Sequence, residues 1–166
     1  MSLKIAQIKP VDQQIVLDIV KQFWGDGSIV VHGKVFHTPD LQGLKAVLDG
    51  TIRGILHYHI SGKTYEIITL ASLSPGEGIG SSLLDAVESL AASHQCSKLS
   101  VTTTNDNLHA LGFYQRRGFH LVRLHPGQVA KSRQIKPGIP LVGENKIPLR
   151  DELVLEKHIL STWSLD

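Results

Sequence analysis

Glycines recur at every second position within Ser74-Pro75-Gly76-Glu77-Gly78-Ile79-Gly80-Ser81-Ser82-Leu83-Leu84, between a β-branched run and an amphipathic run. Glycine lets a backbone turn tightly and approach a ligand, because no Cβ intervenes. The helix start that follows offers unpaired N–H groups and the positive end of its dipole. Together these features suit a phosphate. A Walker loop needs Lys and Ser/Thr after its last glycine. Here Gly80 is followed by Ser81-Ser82, which argues against nucleotide hydrolysis. A dinucleotide fingerprint needs G-x-G-x-x-G after the first strand of its fold, whereas this loop reads G-x-G-x-G and follows the fourth or fifth strand. Two readings stay open on the loop alone: a cradle for a coenzyme pyrophosphate, and a glycine turn with no ligand.

Other chemistry-bearing residues are sparser. His57 and His59 are two apart in a strand-like run and so share a face. They could act as base or line a pocket, but two histidines do not make a zinc site, and no metal is expected. Cys96 follows a helix with no local cationic partner, so its thiol is not expected to be catalytic. Arg150-Asp151-Glu152 opens the last apolar run.

These residues need elements to position them. Leu3 to Ile8 alternates and reads as a strand ended by Pro10. Asp12 is placed to cap a helix reaching Trp24, with Ile15, Ile19 and Phe23 on one face and Val16 and Val20 beside them. Ile29 to Phe36 is interrupted by Gly33 and reads as irregular or short strand. Leu44–Leu48 and Ile52–Ile60 flank the turn Asp49-Gly50. Thr64–Leu73 is a further strand, rich in β-branched residues. Ile79, Leu83, Leu84, Val87, Leu90 and Ala91 give a helical stripe to about His94. Lys98–Thr104 is a strand, and Asn105-Asp106-Asn107 can cap a helix reaching Arg117 before Gly118. Phe119–Leu124 is a strand. His125–Pro148 is rich in Gly and Pro with one short helix near Val129–Ile135, and Leu153–Leu160 is the final strand. The strand–helix–strand around the glycine loop demands a parallel pair with a right-handed crossover, while the hairpins demand antiparallel pairs. The expected fold is α/β (α+β): a mixed, mostly antiparallel sheet with a central parallel strand pair, flanked by helices.

Composition bounds the class. The 166 residues suit one domain, 1–166, with 42% apolar and 19% charged residues, as in an ordinary globule. The net charge of +2 is scattered and does not point to nucleic acid. A single cysteine suits a reducing compartment. Met1-Ser2-Leu3-Lys4-Ile5 lacks a signal-peptide core, and no apolar run approaches a membrane span. The expectation is a cytoplasmic protein with no membrane partner.

A second motif narrows the loop's meaning. Asn107-Leu108-His109-Ala110-Leu111-Gly112-Phe113-Tyr114-Gln115-Arg116-Arg117-Gly118-Phe119 lies one strand downstream. The pair resembles the GCN5-related N-acetyltransferase (GNAT) family, whose pyrophosphate loop reads Gln/Arg-x-x-Gly-x-Gly/Ala. Gly78 and Gly80 match the required glycines, and Asn107, Ala110, Phe113, Tyr114, Gly118 and Phe119 match the downstream pattern. Pro75 stands where the family has Gln or Arg, and it removes a side chain and a backbone N–H.

The resemblance implies transfer of an acetyl group from acetyl-CoA to a primary amine by direct attack in a ternary complex. A non-catalytic acyl-CoA-binding or regulatory domain of the same fold is the alternative. It implies a pyrophosphate held by Pro75, Gly76, Gly78, Ile79, Gly80, Ser81 and Ser82, chiefly through backbone amides. The pantetheine arm would run along the backbone of Leu70 and Ser72, with the Leu70 N–H near the thioester carbonyl. Asn107 would both cap its helix and bind that arm. Tyr114 would be the general acid; the competing reading is a core aromatic, which is preferred for Phe113. Glu66 resembles an acidic residue that begins this strand in some members and would be the general base, directly or through water; a solvated strand-end Glu is the other reading. Arg150-Asp151-Glu152 would lie near the acceptor's entrance. A homodimer through the final strand and Trp163 is compatible with the family.

Overall fold

The computed structural model describes residues 2–159. Leu160 and Trp163, invoked above for the final strand and a dimer contact, lie outside the described residues. The strands are β1 (Leu3–Gln7), β2 (Ser28–Val31), β3 (Lys34–His37), β4 (Gln42–Leu48), β5 (Thr51–Ser61), β6 (Thr64–Ser72), β7 (Lys98–Thr104), β8 (His120–His125) and β9 (Glu152–His158). The helices are α1 (Gln13–Trp24), α2 (Ile79–Ser93), α3 (Leu108–Arg116) and α4 (Gln128–Ile135). Seven strands form one sheet in the order β1-β4-β5-β6-β7-β9-β8, and β2 and β3 form a separate hairpin. Only β6 and β7 run parallel, joined by α2; every other neighbouring pair in the sheet is antiparallel. The expected mixed sheet is present.

Each face of the sheet buries its own apolar cluster. Under α2 and α3, Ile79, Leu83, Leu84 and Val87 pack on Leu56, Tyr65, Ile67, Leu99, Val101 and Leu155, with Tyr114 and Phe119 closing the end. On the other face, Val16, Ile19 and Val20 of α1 and Ile29, Val31 and Phe36 of the hairpin pack on Ile55, Ile68 and Ala71. Strand alternation assigns successive residues to these two sides.

Several local expectations need correction. The buried stripe of α1 is Val16, Ile19 and Val20, while Ile15 and Phe23 are exposed. Asp12 sits at the start of α1 but does not cap it. Its carboxylate accepts from Lys9 N–H at 2.8 Å and pairs with Lys45 Nζ at 2.7 Å, and the Lys45 contact holds its pKa below the usual range. Of the two readings of residues 29–36 the short-strand one holds and the irregular one does not: β2 and β3 form a regular hairpin, and Gly33 breaks the run by completing its turn, with φ of +51° at His32 and +76° at Gly33. Two positive φ values in succession match the twist of a two-residue hairpin. Finally, β9 inserts between β7 and β8 with both edges paired, so its described part has no free edge to offer a second subunit. No helix among the described residues is long and apolar enough to cross a membrane.

Candidate functional site: a fork in the sheet

A β-bulge opens the middle of the sheet. β5 and β6 pair as His57↔Thr69 and then Tyr58↔Ile67, so Ile68 is an extra residue. The extra residue bends its strand and disturbs the ladder. On the other edge, β6–β7 pairing ends at Ile67↔Val101, and residues 102–104 of β7 pair only with β9. Beyond Ile67 the two parallel strands therefore form a fork. Leu73 N–H bonds Arg53 O, toward β5, at 2.8 Å. Backbone groups alternate direction along a strand. Ser72 and Leu70 consequently turn their N–H and C=O away from β5, into the fork. These are the two residues whose backbone the sequence assigned to a ligand arm.

His57 and Thr69 hold the bulge. The Thr69 hydroxyl oxygen accepts from His57 N–H at 2.9 Å and lies 2.7 Å from His57 Nδ1. The hydroxyl carries one proton and a second lone pair, so it satisfies Nδ1 in either tautomer. Burial lowers the His57 pKa to about 4. His57 is a neutral core residue, 1% exposed, and not a pocket wall or base. His59 lies beside Phe36 with ring centroids 5.3 Å apart.

The glycine loop stands at the end of β6, where the fork is widest. Pro75, Gly76, Glu77 and Gly78 are exposed. Gly76 (φ +84°) and Gly78 (φ +73°) need the left-handed region. Gly80 is needed for contact: a Cβ there would meet Phe113 Cζ at 3.2 Å. The two sequence motifs thus touch. Gly78 begins α2 without a side-chain cap, and the first turn carries no acidic residue. Ser82 N–H bonds Gly78 O at 3.0 Å, which removes the Ser82 amide from the set expected to face a ligand. The amides of Ile79, Gly80 and Ser81 have no such partner and remain available. Pro75 supplies no N–H, so it contributes shape alone.

Arg117 supports the loop from behind. Its guanidinium donates from Nε to Ser81 Oγ at 2.9 Å and from Nη1 to Phe113 O at 3.2 Å. It stacks on the Phe113 ring at 3.8 Å, an attractive cation–π geometry. Ser81 Oγ is an acceptor in these contacts, so its O–H is left to donate. From sequence, Arg117 reads only as a helix-end cation.

The Asn105-Asp106-Asn107 segment divides its work. Asn107 Oδ1 caps α3 by accepting from Ala110 N–H at 3.1 Å, leaving its amide NH₂ free of partners among the described residues. Asn105 Oδ1 accepts from the N–H groups of Arg150 and Asp151, and Asp106 Oδ2 accepts from Glu144 N–H at 2.8 Å. These bonds fasten the returning segment 144–151 beside the fork and set where β9 begins.

Tyr114 lies in the apolar cluster under α2 and α3, and burial raises its pKa. Its hydroxyl has no hydrogen-bond partner among the described residues. Tyr114 is only 6% exposed, within that cluster. Glu66 faces the other side of the sheet, because it alternates with Tyr65 and Ile67 of the Tyr114 cluster. The two sequence-predicted catalytic residues therefore flank the fork from opposite faces. Burial raises the Glu66 carboxyl, while His59 and Lys34 pull it back. Glu152 is 3% exposed on the Glu66 face; burial raises its pKa, the His32 N–H bond lowers it, and the Glu66 charge raises it again, for a net rise. Cys96 is buried and burial raises its thiol.

Comparison with known proteins agrees with this geometry. Residues 16–119 match the Acetyltransferase (GNAT) family. The chain is 38% identical over 148 residues to the uncharacterized protein YdhI of Bacillus subtilis (strain 168), across 89% of this chain and 92% of that one. An IAA acetyltransferase from Bacillus cereus ATCC 14579 superimposes with a TM-score of 0.69 at 23% identity, covering 95% of this chain and all of that one. A GNAT family acetyltransferase from Elizabethkingia anophelis, solved with acetyl-CoA bound, gives 0.69 at 21% identity, covering 95% and 98%. A forked sheet with a glycine loop at its mouth, joined to the matching sequence, places the chain in the GNAT family of acetyltransferases.

Proposed function

We propose that this chain, acting as one domain, transfers acetyl from acetyl-CoA to a primary amine by direct attack in a ternary complex. The observation that carries the reading is the fork: β6 leaves β7 after Ile67, and the unpaired edge leads to uncapped helix amides. A long ligand with a polar arm and an anionic end fits that sequence of groups. Acetyl-CoA supplies an activated acetyl thioester when bound.

The chain's own groups then have distinct tasks. The amides of Gly76, Gly78, Ile79, Gly80 and Ser81, with the Ser81 and Ser82 hydroxyls, hold the pyrophosphate. The exposed edge at Ser72 and Leu70 pairs with the amides of the pantetheine arm, as an added strand would, and Asn107 Nδ2 donates to it. Leu70 N–H polarises the thioester carbonyl. Tyr114 donates its proton to the departing thiolate; a pKa raised by burial keeps that proton in place at neutral pH. Glu66 meets the acceptor ammonium from the opposite face and is placed to take a proton directly or through water. Buried, unpaired Cys96 supports work in a reducing compartment such as the cytoplasm.

The test is thiol release from acetyl-CoA across a panel of amines, with cofactor affinity measured by calorimetry. The reading expects binding and transfer to at least one primary amine. Binding without turnover would leave an acyl-CoA-binding domain, and no binding at millimolar acetyl-CoA would end the proposal.

A further inference from the structure

Resting on the acetyl-transfer reading above, we infer that His32 is the base that removes the acceptor's proton, positioned by Glu152 and presented at the fork beside Thr102. His32 is the first turn residue of the β2–β3 hairpin, and its backbone N–H donates to both Glu152 oxygens at 3.3 Å. Its Nδ1 lies 2.9 Å from Glu152 Oε2, and its Nε2 lies 3.0 Å from Thr102 Oγ1. A carboxylate can only accept, so Nδ1 carries the proton and Nε2 is bare. Thr102 is the first β7 residue beyond the last β6–β7 pair, Ile67↔Val101. The bare nitrogen therefore stands where the fork opens, on the Glu66 face.

Carboxylate, imidazole and hydroxyl in a line form the arrangement that makes an imidazole an effective base. The φ of +51° at His32 is that of the two-residue hairpin turn, and Glu152 fastens this turn through the His32 N–H. His125 faces the ring at 4.8 Å from β8, Arg123 lies on the same strand, Glu152 comes from β9, and Glu66 of β6 faces Glu152. Burial, then His125 and Arg123, push His32 below its usual 6.5, so the ring is neutral and accepts protons at neutral pH.

The proton balance closes. An N–H bond of the ammonium breaks as Nε2–H forms, once the Thr102 hydroxyl rotates aside. The imidazolium is paired with Glu152 and returns its proton to water through its exposed side. The freed amine pair forms the C–N bond and the C–S bond breaks. The thiolate takes the Tyr114 proton, and the second amine proton restores Tyr114. With His32 as the base, Glu66 keeps the charge attraction for the ammonium in place of the proton-taking role proposed above.

The experiment is kcat/KM against pH, using the fastest acceptor among benzylamine, putrescine, L-lysine and a peptide α-amine. His32→Gly suits the left-handed turn and should lose about 100-fold at pH 7, the low end of general-base effects. It should recover with rising pH as the amine loses its own proton, and added imidazole should restore turnover. His32→Asn, also tolerated at positive φ, should behave alike without the rescue. Glu152→Gln should lose up to about 100-fold, the whole contribution of His32, and move the acidic limb to lower pH, since the imidazolium loses its counter-charge. Acetyl-CoA affinity should stay within twofold in all three. Activity of His32→Gly within threefold of the parent, with the acidic limb unmoved, would reduce His32 to a hairpin fastener while Tyr114→Phe still abolished turnover. A parent protein that acetylates nothing overturns both readings.

Discussion

The proposed donor side and the proposed acceptor side of the fork are built differently. The donor side comes from one stretch of chain: β6, the glycine loop, α2, β7 and α3 follow one another between Thr64 and Arg116. Its binding groups are largely backbone amides and one open strand edge. The acceptor side draws His32 from the hairpin, Glu66 from β6, Thr102 from β7 and Glu152 from β9. Its members meet through side chains, and His32 and Glu152 are 120 positions apart. A backbone site tolerates varied side chains so long as the turns are kept. A side-chain site is weakened by the loss of any one member.

The contrast can be broken at either side. The largest effect is expected at Tyr114: Phe there should cut kcat by about 100-fold or more and leave acetyl-CoA affinity within twofold, read by thiol release and calorimetry. Next comes acid. His57 is held at about 4 in the folded chain against 6.5 unfolded. Between these values the unfolded chain binds more protons, so stability is complete above pH 6.5 and falls as pH drops toward 4. The loss should reach about 3 kcal/mol below pH 4, measured as a shift in denaturant midpoint between pH 7 and pH 4. Thr69→Val keeps the shape but strands the His57 N–H and Nδ1, and should destabilise by about 1–3 kcal/mol. It should also weaken acetyl-CoA binding, because the bulge that opens the fork is held by this hydroxyl. The smallest effect is expected at Gly78→Ala. A left-handed alanine costs about 1–2 kcal/mol, part of it appearing as weaker acetyl-CoA binding with kcat for saturating donor unchanged.

The same contrast explains what was legible in the sequence. The loop glycines and the Asn107 cap lie within local patterns, so their places follow from spacing, while Tyr114 was singled out by the family resemblance. The parallel β6–β7 pair follows from the strand–helix–strand order. His32 was hidden because its turn begins with a residue other than Asn, Asp or Gly, although His-Gly between two β-branched runs is a usable hairpin signal. Glu152 was visible only as part of a charged strand start. Its burial depends on β9 entering between β7 and β8, which no local pattern encodes. The histidine pair at 57 and 59 misled for a related reason: the sequence gives their shared face but not that Thr69 seals one of them into the core. Arg117 reads as a helix-end cation and gains its second role only when α3 packs against α2.

Amide hydrogen exchange with and without acetyl-CoA decides whether the fork and loop are the donor site. Protection should rise at Leu70 and Ser72 and through Gly76–Ser81, with Ser82 already protected in the free protein by its bond to Gly78 O. The β2–β3 hairpin should change little until an amine is added. Protection appearing elsewhere, with the exchange of Gly76–Ser81 unchanged by saturating acetyl-CoA, would contradict that assignment.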